Sequence, residues 1–119
     1  MKRKSAIWVD DTRGIPLSLV GDFDVFWART YEEAIGLLQL PNIDMISIDH
    51  DLGKDRKTGY DIAKWMVENN ICPDVVYVHS MNVVGAENIK HLLKRYFPHV
   101  HIIHLPYSEW DLDLEGELN

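Results

Sequence analysis

The chain has 119 residues, 46% of them hydrophobic, which is enough for one domain with a real core. Its 19 acids against 12 bases give a net charge of −7, which argues against a sequence-independent grip on nucleic acid, because such binding neutralises phosphates with basic charge. A lone Cys72 and the lack of an apolar run near the roughly 18 residues of a membrane span point to a reducing cytoplasmic setting, or a host cytoplasm for a viral protein, with no membrane partner.

Elements alternate strand and helix along the chain. Residues 6–9 (Ala-Ile-Trp-Val) are apolar throughout, as a central parallel strand covered on both faces requires. The four apolar residues after Met1-Lys-Arg-Lys and Ser5 are too few for a signal peptide. After Asp10 and Asp11, Gly14 and Pro16 leave room for only a short first helix. A second strand fits 24–28. Thr30 with Glu33 three positions on is a capping-box pattern opening a helix that buries Ala34, Ile35, Leu37 and Leu38 and stops at Pro41.

The third strand is Met45–Ile48, followed by a charged loop at 53–59 that reads equally as a flap over a site at the strand end or as a solvated loop. Residues 60–70 space Ile62, Ala63, Trp65, Met66 and Val67 as a helix does. Val75–Val78 is a fourth strand, 85–97 a helix with Ile89, Leu92, Leu93 and Tyr96 inward, and 100–105 a fifth strand cut by Pro106. Such alternation predicts an α/β fold, a doubly wound five-stranded parallel sheet spanning residues 1–108. The segment 109–119 carries five acids and no base. It reads equally as a short final helix over the sheet or as an acidic–apolar segment for a protein partner.

Chemistry-bearing residues collect at the strand ends. Asp10-Asp11 follows strand one, Asp49-His50-Asp51 strand three and His79-Ser80 strand four, so a parallel sheet gathers them at one edge. Crowded carboxylates repel one another unless a cation sits among them, and an all-oxygen set suits Mg²⁺ or Mn²⁺. His50 and His79 would suit acid–base work near neutral pH, against the simpler alternative of rings bonded to neighbouring carboxylates or carbonyls. His99, His101 and His104 do not share one strand face, which argues against zinc. Trp8, Trp27, Trp65 and Tyr77 read as core or half-core, since base stacking wants basic neighbours that this chain lacks.

The strand alternation, Asp10-Asp11, Asp49 after strand three and Ser80 after strand four together resemble the response-regulator receiver domain, a flavodoxin-like fold, over nearly the whole chain. That resemblance implies Mg²⁺ at Asp10, Asp11 and Asp49, with the main-chain carbonyl of Asp51 added. It implies a phosphoryl group at Asp49 and a Ser80 hydroxyl on its oxygen. The chain departs from receivers at Leu105-Pro106, where they carry a lysine that pairs with the phosphoryl group, and in its short first helix. It more closely resembles the cyclic-phosphate-processing receiver-like family. The matching motifs are Asp10-Asp11-Thr12-Arg13, then Ile48-Asp49-His50-Asp51-Leu52-Gly53, Thr58-Gly59-Tyr60-Asp61 and His79-Ser80-Met81-Asn82 running to Gly85.

That resemblance implies a metal-dependent cyclic phosphodiesterase acting on a small phosphate ester or an RNA end. In that reading Asp10, Asp11, Asp49 and Asp51 hold the ion, and Asp49, His50, His79 and Ser80 carry the chemistry. Arg13, Ser80 and Asn82 grip the phosphate. The alternative is a non-catalytic pseudo-receiver that docks a protein through its acidic tail. A third reading is a switch phosphorylated on Asp49, which the missing lysine disfavours.

Overall fold

The structure, a computed structural model, describes residues 3–54 and 56–111. Its five strands are β1 (Lys4–Val9), β2 (Phe23–Ala28), β3 (Met45–Ile48), β4 (Val75–Val78) and β5 (His101–His104). They pair in parallel in the order β2-β1-β3-β4-β5. The connections are α1 (Leu17–Asp22), α2 (Tyr31–Leu38), α3 (Gly59–Asn69) and α4 (Val83–Tyr96). A short 3₁₀ turn, Tyr107–Glu109, follows β5. This is the doubly wound receiver architecture that the alternation predicts, with α1 held to six residues. No helix among the described residues is long and apolar enough to cross a membrane.

Pleating divides the strand residues between two faces. Ile7, Val9, Ile46, Ile48, Val76, Val78 and Ile102 meet Ala34, Leu38, Ile62, Met66, Ala86, Ile89 and Leu93 from α2, α3 and α4 in the larger core. Ala6, Trp8 and Met45 face the other way, onto Leu19 of α1 and the half-buried Tyr107 and Trp110. On this second face every odd residue of β3 and β4 and every even residue of β1 points the same way. Carried one step past the strand ends, that parity puts Asp10, Asp49 and His79 on the Trp8 face and sends Asp11, His50 and Ser80 to the other. The chain leaves β1 for β2 on one side, while β3 lies on the other. A crevice therefore opens at the carboxyl ends of β1 and β3, the topological switch point.

Helix starts are fixed by the side chains the sequence suggests. Thr30 accepts from Glu33 N at 3.1 Å, and Glu33 reaches back to Arg29 N at 2.7 Å. Thr58 and Asp61 form a reciprocal capping box on α3. α4 begins two residues earlier than its apolar spacing indicates, because the Asn82 side chain accepts from Gly85 N at 3.0 Å and caps it. Tyr96, expected to point inward, is 51% exposed; Phe97 one position on fills the core instead. β5 is two residues shorter than 100–105. Of the acidic tail, Glu109, Trp110 and Asp111 belong to the packed body. The Asp111 carboxylate accepts from the first amides of α1, Leu17 N and Ser18 N, at 3.2 and 3.0 Å. Residues 112–119 lie outside the described residues, as do Lys2 and Asp55.

Candidate functional site: an acidic cleft over a buried histidine relay

At the switch point lies a cavity of about 470 Å³. Its carboxylates are Asp11, Asp49 and Asp51, its cations Arg13 and Lys54, and its neutral polar groups Thr12, Ser80 and Asn82. Three loops therefore converge, after β1, β3 and β4, as parallel strand ends require. Asp11 reaches toward the β3–α3 loop, where Gly53 at φ 105° lets the backbone turn: a Cβ there would sit 3.7 Å from Asp11 Oδ2. Gly59 opens α3 so tightly under the cleft that a Cβ would be 2.1 Å from the Asp49 carbonyl oxygen. Its amide donates to His50 O at 2.8 Å.

Beneath the cleft, three ligand-type side chains, Asp10, Asp49 and His79, bring polar atoms within 4.8 Å of one another. Two of them are already engaged. Asp10 Oδ1 accepts from the amides of Thr12 and Arg13 at 2.9 and 2.8 Å, and Oδ2 lies 3.0 Å from His79 Nε2. A carboxylate only accepts, so Nε2 carries the proton; Nδ1 then accepts from the Ser47 hydroxyl at 2.7 Å. Burial holds His79 below the usual imidazole range, only partly opposed by Asp10, so the ring stays neutral. For Asp10 burial pushes the pKa upward, but the bonds from His79, Arg13 and Thr12 outweigh it and keep the group ionised.

Ser47, His79 and Asp10 thus line up with the atoms of a hydrolytic triad, yet all three have zero exposure and the serine opens onto nothing. The His79 ring also stacks on Trp8 at 3.8 Å between centroids. Trp8 Nε1 donates to Arg13 O, Trp27 Nε1 to Asp10 O and the Tyr107 hydroxyl to Gly14 O. This aromatic set holds the 10–14 loop, and with it Arg13, whose guanidinium lies 5.3 Å from the Tyr107 centroid.

Asp49 differs from Asp10. It is 7% exposed, and burial first, then the nearby charge of Asp10, push its pKa up to about 6, against the opposing Arg13 cation and Ser80 hydroxyl. A buried carboxylate disfavoured in its charged form, with two more carboxylates across an open cleft, is an oxygen set suited to a hard divalent ion. The donor chemistry therefore fits Mg²⁺. Asp11 and Asp49 would hold the ion together with the main-chain carbonyl of Asp51; Asp10, expected as a further ligand, has both oxygens engaged by Thr12, Arg13 and His79 and would support them from below.

The structure gathers Asp11, Arg13, Asp49, Asp51, Ser80 and Asn82 around one cavity and places Asp10 and His79 under it. His50 is not brought in. Its Nδ1 donates to Asp51 Oδ1 at 2.9 Å, its ring packs on Gly85, and it lines a separate groove between α3 and α4. Asn82 is in the cleft, but its carbonyl oxygen is spent on capping α4. Lys54 lines the cleft, whereas Lys57 from the same loop lies over the Tyr31 ring at 4.3 Å. Leu105, at the receiver-lysine position, lines a groove on the Trp8 side of the sheet. Two residues of the site carry little sequence signal. Ser47 is a small polar residue inside an apolar strand, and that anomaly marks it. His104 donates through Nε2 to the Ser80 carbonyl at 2.9 Å and so steadies the β4–α4 loop.

Sheet order, the acidic crevice and the hydroxyl after β4 define a receiver-fold domain. The family described as "Cyclic-phosphate processing Receiver domain" matches residues 5–95, and the chain belongs to it. No curated protein sequence matches the chain. Among solved structures, the chain is similar to the non-phosphorylated HemR receiver domain of Leptospira biflexa, with TM-score 0.63 and 20% identity over 98% of this chain and 89% of that one. A response regulator from Thermotoga maritima gives TM-score 0.63 and 19% identity over 98% and 96%. A Burkholderia pseudomallei response regulator, solved with a phosphorylated aspartic acid, calcium ion and citrate, gives 0.54 and 14% over 97% and 72%. These likenesses carry the fold.

Proposed function

We propose that the domain holds Mg²⁺ or Mn²⁺ in its acidic cleft and there binds and opens a cyclic phosphate ester of a nucleotide or RNA end. The mixed sign of the lining carries this reading: Asp11, Asp49 and Asp51 share one cavity with Arg13, Lys54 and Ser80. Carboxylates alone would hold an ion and repel phosphate, and cations alone would hold phosphate without an ion. Both together suit a cation–phosphate pair. A response regulator of this fold has been solved with a phosphorylated aspartic acid and a calcium ion.

The ion, when bound, neutralises charge on the phosphoryl oxygens and acidifies water. The chain does the rest. Arg13 and Lys54 would meet the non-bridging oxygens, and the Ser80 hydroxyl, whose oxygen accepts from Asn82 N at 3.0 Å and whose proton bonds to Asp49, would turn that proton to the phosphate. His79 keeps Asp10 ionised from below. Water adds at phosphorus, one ring P–O ester bond breaks, and the departing alkoxide takes up a proton, leaving a phosphomonoester. With His79 sealed beneath the cleft and His50 turned to another groove, the proton transfers fall to a cleft carboxylate. Phosphorus NMR of 2′,3′-cyclic nucleotides and cyclic-ended RNA should show Mg²⁺- or Mn²⁺-dependent ring opening, abolished by Asp49→Ala and weakened by Arg13→Ala. Absence of turnover with every such substrate would remove the reading.

A second reading, docking without catalysis, is favoured by Met81, Val83 and Val84, which are 49%, 63% and 71% exposed beside the cleft. On that view a captured partner is lost on Val83→Asp/Val84→Asp and retained in Asp49→Ala.

A further inference from the structure

The largest cavity described lies not at the acidic edge but between the start of α3 and the outer stripe of α4. It measures about 640 Å³. Asn88, His91, Arg95 and Tyr96 supply the α4 wall, Tyr60 the α3 wall, and His50 the base. On α4 these residues follow the i, i+3, i+7, i+8 spacing of one helix face, the spacing that brings side chains to one surface. On most helices such a face beside a packed neighbour is apolar or evenly charged. Here the α4 face carries an amide, an imidazole, a guanidinium and a phenol around Leu92, and Tyr60 and His50 add a second phenol and a second imidazole from across the groove.

Its charge also runs against the rest of the chain. In a protein of net charge −7, no carboxylate among the described residues lines this groove. The acids that touch its lining residues do so from outside the groove. Asp51 accepts from His50 at 2.9 Å, Asp61 from Thr58 N at 2.7 Å, and Glu87 lies 3.6 Å from Lys90 and 3.7 Å from His91. Arg95 has no carboxylate within 4.0 Å among the described residues, and its guanidinium lies 5.6 Å from the Tyr96 centroid. The His50 ring is fixed: Nδ1 is tied to Asp51, and the ring packs so closely on Gly85 that a Cβ there would come within 2.4 Å. Its Nε2 is the nitrogen left for a ligand.

From this arrangement we propose that the α3–α4 groove is a second ligand site, one that takes a nucleoside monophosphate. Arg95 grips the phosphate, and Tyr60 and Tyr96 flank the base. A guanidinium is the side chain best shaped for phosphate oxygens, and phenol rings accept any base by its flat face. The volume suits one small molecule; a bound peptide would need a longer groove. The site is independent of the acidic cleft and needs no metal ion.

The test is titration of the full chain with AMP in EDTA, followed by amide chemical shifts. Saturable binding should shift Tyr60, Asn88, His91, Arg95 and Tyr96. Arg95→Glu and Tyr96→Ala should each weaken binding at least tenfold, Tyr96→Phe should retain it, and Asp49→Ala should leave it unchanged. Adenosine and inorganic phosphate, titrated separately, should each bind at least tenfold more weakly than AMP. Both altered side chains are exposed, so matched melting curves confirm folding. The proposal is overturned by no saturation at millimolar AMP, by shifts centred on Asp49 and Ser80, by binding equal in the Arg95→Glu chain, or by phosphate or adenosine alone matching AMP.

Discussion

Replacing Asp49 by asparagine should stabilise the protein at neutral pH and leave it nearly unchanged in acid. Burial and the Asp10 charge lift the Asp49 pKa from 3.8 to about 6. The folded chain therefore keeps a proton there that the unfolded chain has already released. The sign follows from linkage: where the folded state binds more protons, stability falls as pH rises. The loss begins near 3.8, is nearly complete once pH passes about 6, and amounts to about 3 kcal/mol in full. About 2 kcal/mol of it falls between pH 4.5 and 7.5. Asparagine has the shape of the carboxylate without the charge, so the variant lacks that slope. In EDTA, urea unfolding of the two proteins should show the gap widening in favour of Asp49→Asn by about 1–2 kcal/mol from pH 4.5 to 7.5, after allowance for relaxation around the group. In melting temperature this is on the order of 5 °C. Adding Mg²⁺ at pH 7.5 should close the gap by stabilising the wild type alone. A gap independent of pH, or an asparagine variant weaker than wild type at pH 7.5, would refute the account of Asp49 as a charge held at a cost. Mg²⁺ stabilising both proteins equally would refute Asp49 as a ligand.

His79→Ala should cost about 3–5 kcal/mol in urea unfolding, because it strips the buried Asp10 carboxylate of its partner and Trp8 of its stacking face. His79→Gln, which retains a donor, should lose less, and equal losses would show that the hydrogen bond is unimportant. Gly59→Ala forces a Cβ to 2.1 Å from the Asp49 carbonyl, which is backbone and cannot step aside. It should cost about 2–4 kcal/mol in the same assay and weaken Mg²⁺-dependent stabilisation as the loop shifts. Gly85→Ala puts a Cβ 2.4 Å from Cγ of the His50 ring and should push that ring off Asp51, at a cost below that of Gly59→Ala because a side chain gives way where a backbone carbonyl cannot.

The fold was legible because parallel strands covered on both faces must be short apolar runs; β3 and β4 fall at the residues their apolar character marks. The crevice was legible for the same reason, since polar residues ending such runs have only the strand-end edge to occupy. Burial depth was less accessible. His50 and His79 read alike as polar residues after a strand, but the pleat sends them to opposite faces, and period-two counting from Trp8 and Ser47 would have separated them. The capping role of Asn82 and the outward turn of Tyr96 depend on where α4 begins. A cap decides that, and apolar spacing does not report it. His104 reaches Ser80 through a cross-strand approach that no local pattern encodes.

The substitution at the strand-five position bears on what the cleft can do. Leu105 turns toward the groove beneath Trp110, so no cation approaches Asp49 from β5. The positive charges come from Arg13 and Lys54, on the loops after β1 and β3. A lysine on a strand end stands at a fixed distance from one phosphoryl group, which suits an acyl phosphate formed on the sheet itself. A guanidinium and an ammonium carried on loops meet a phosphate from its outer side. They can do so when that phosphate arrives already attached to a bulky alcohol. The relay under Asp10 complements this arrangement: it fixes one end of the Arg13 loop by two amide bonds and the Trp8 indole, so the cation keeps its place without a partner on β5. On the proposed reading, a cleft gripped from its loops over a sealed histidine favours an incoming ester over a phosphoryl group stored on its own aspartate.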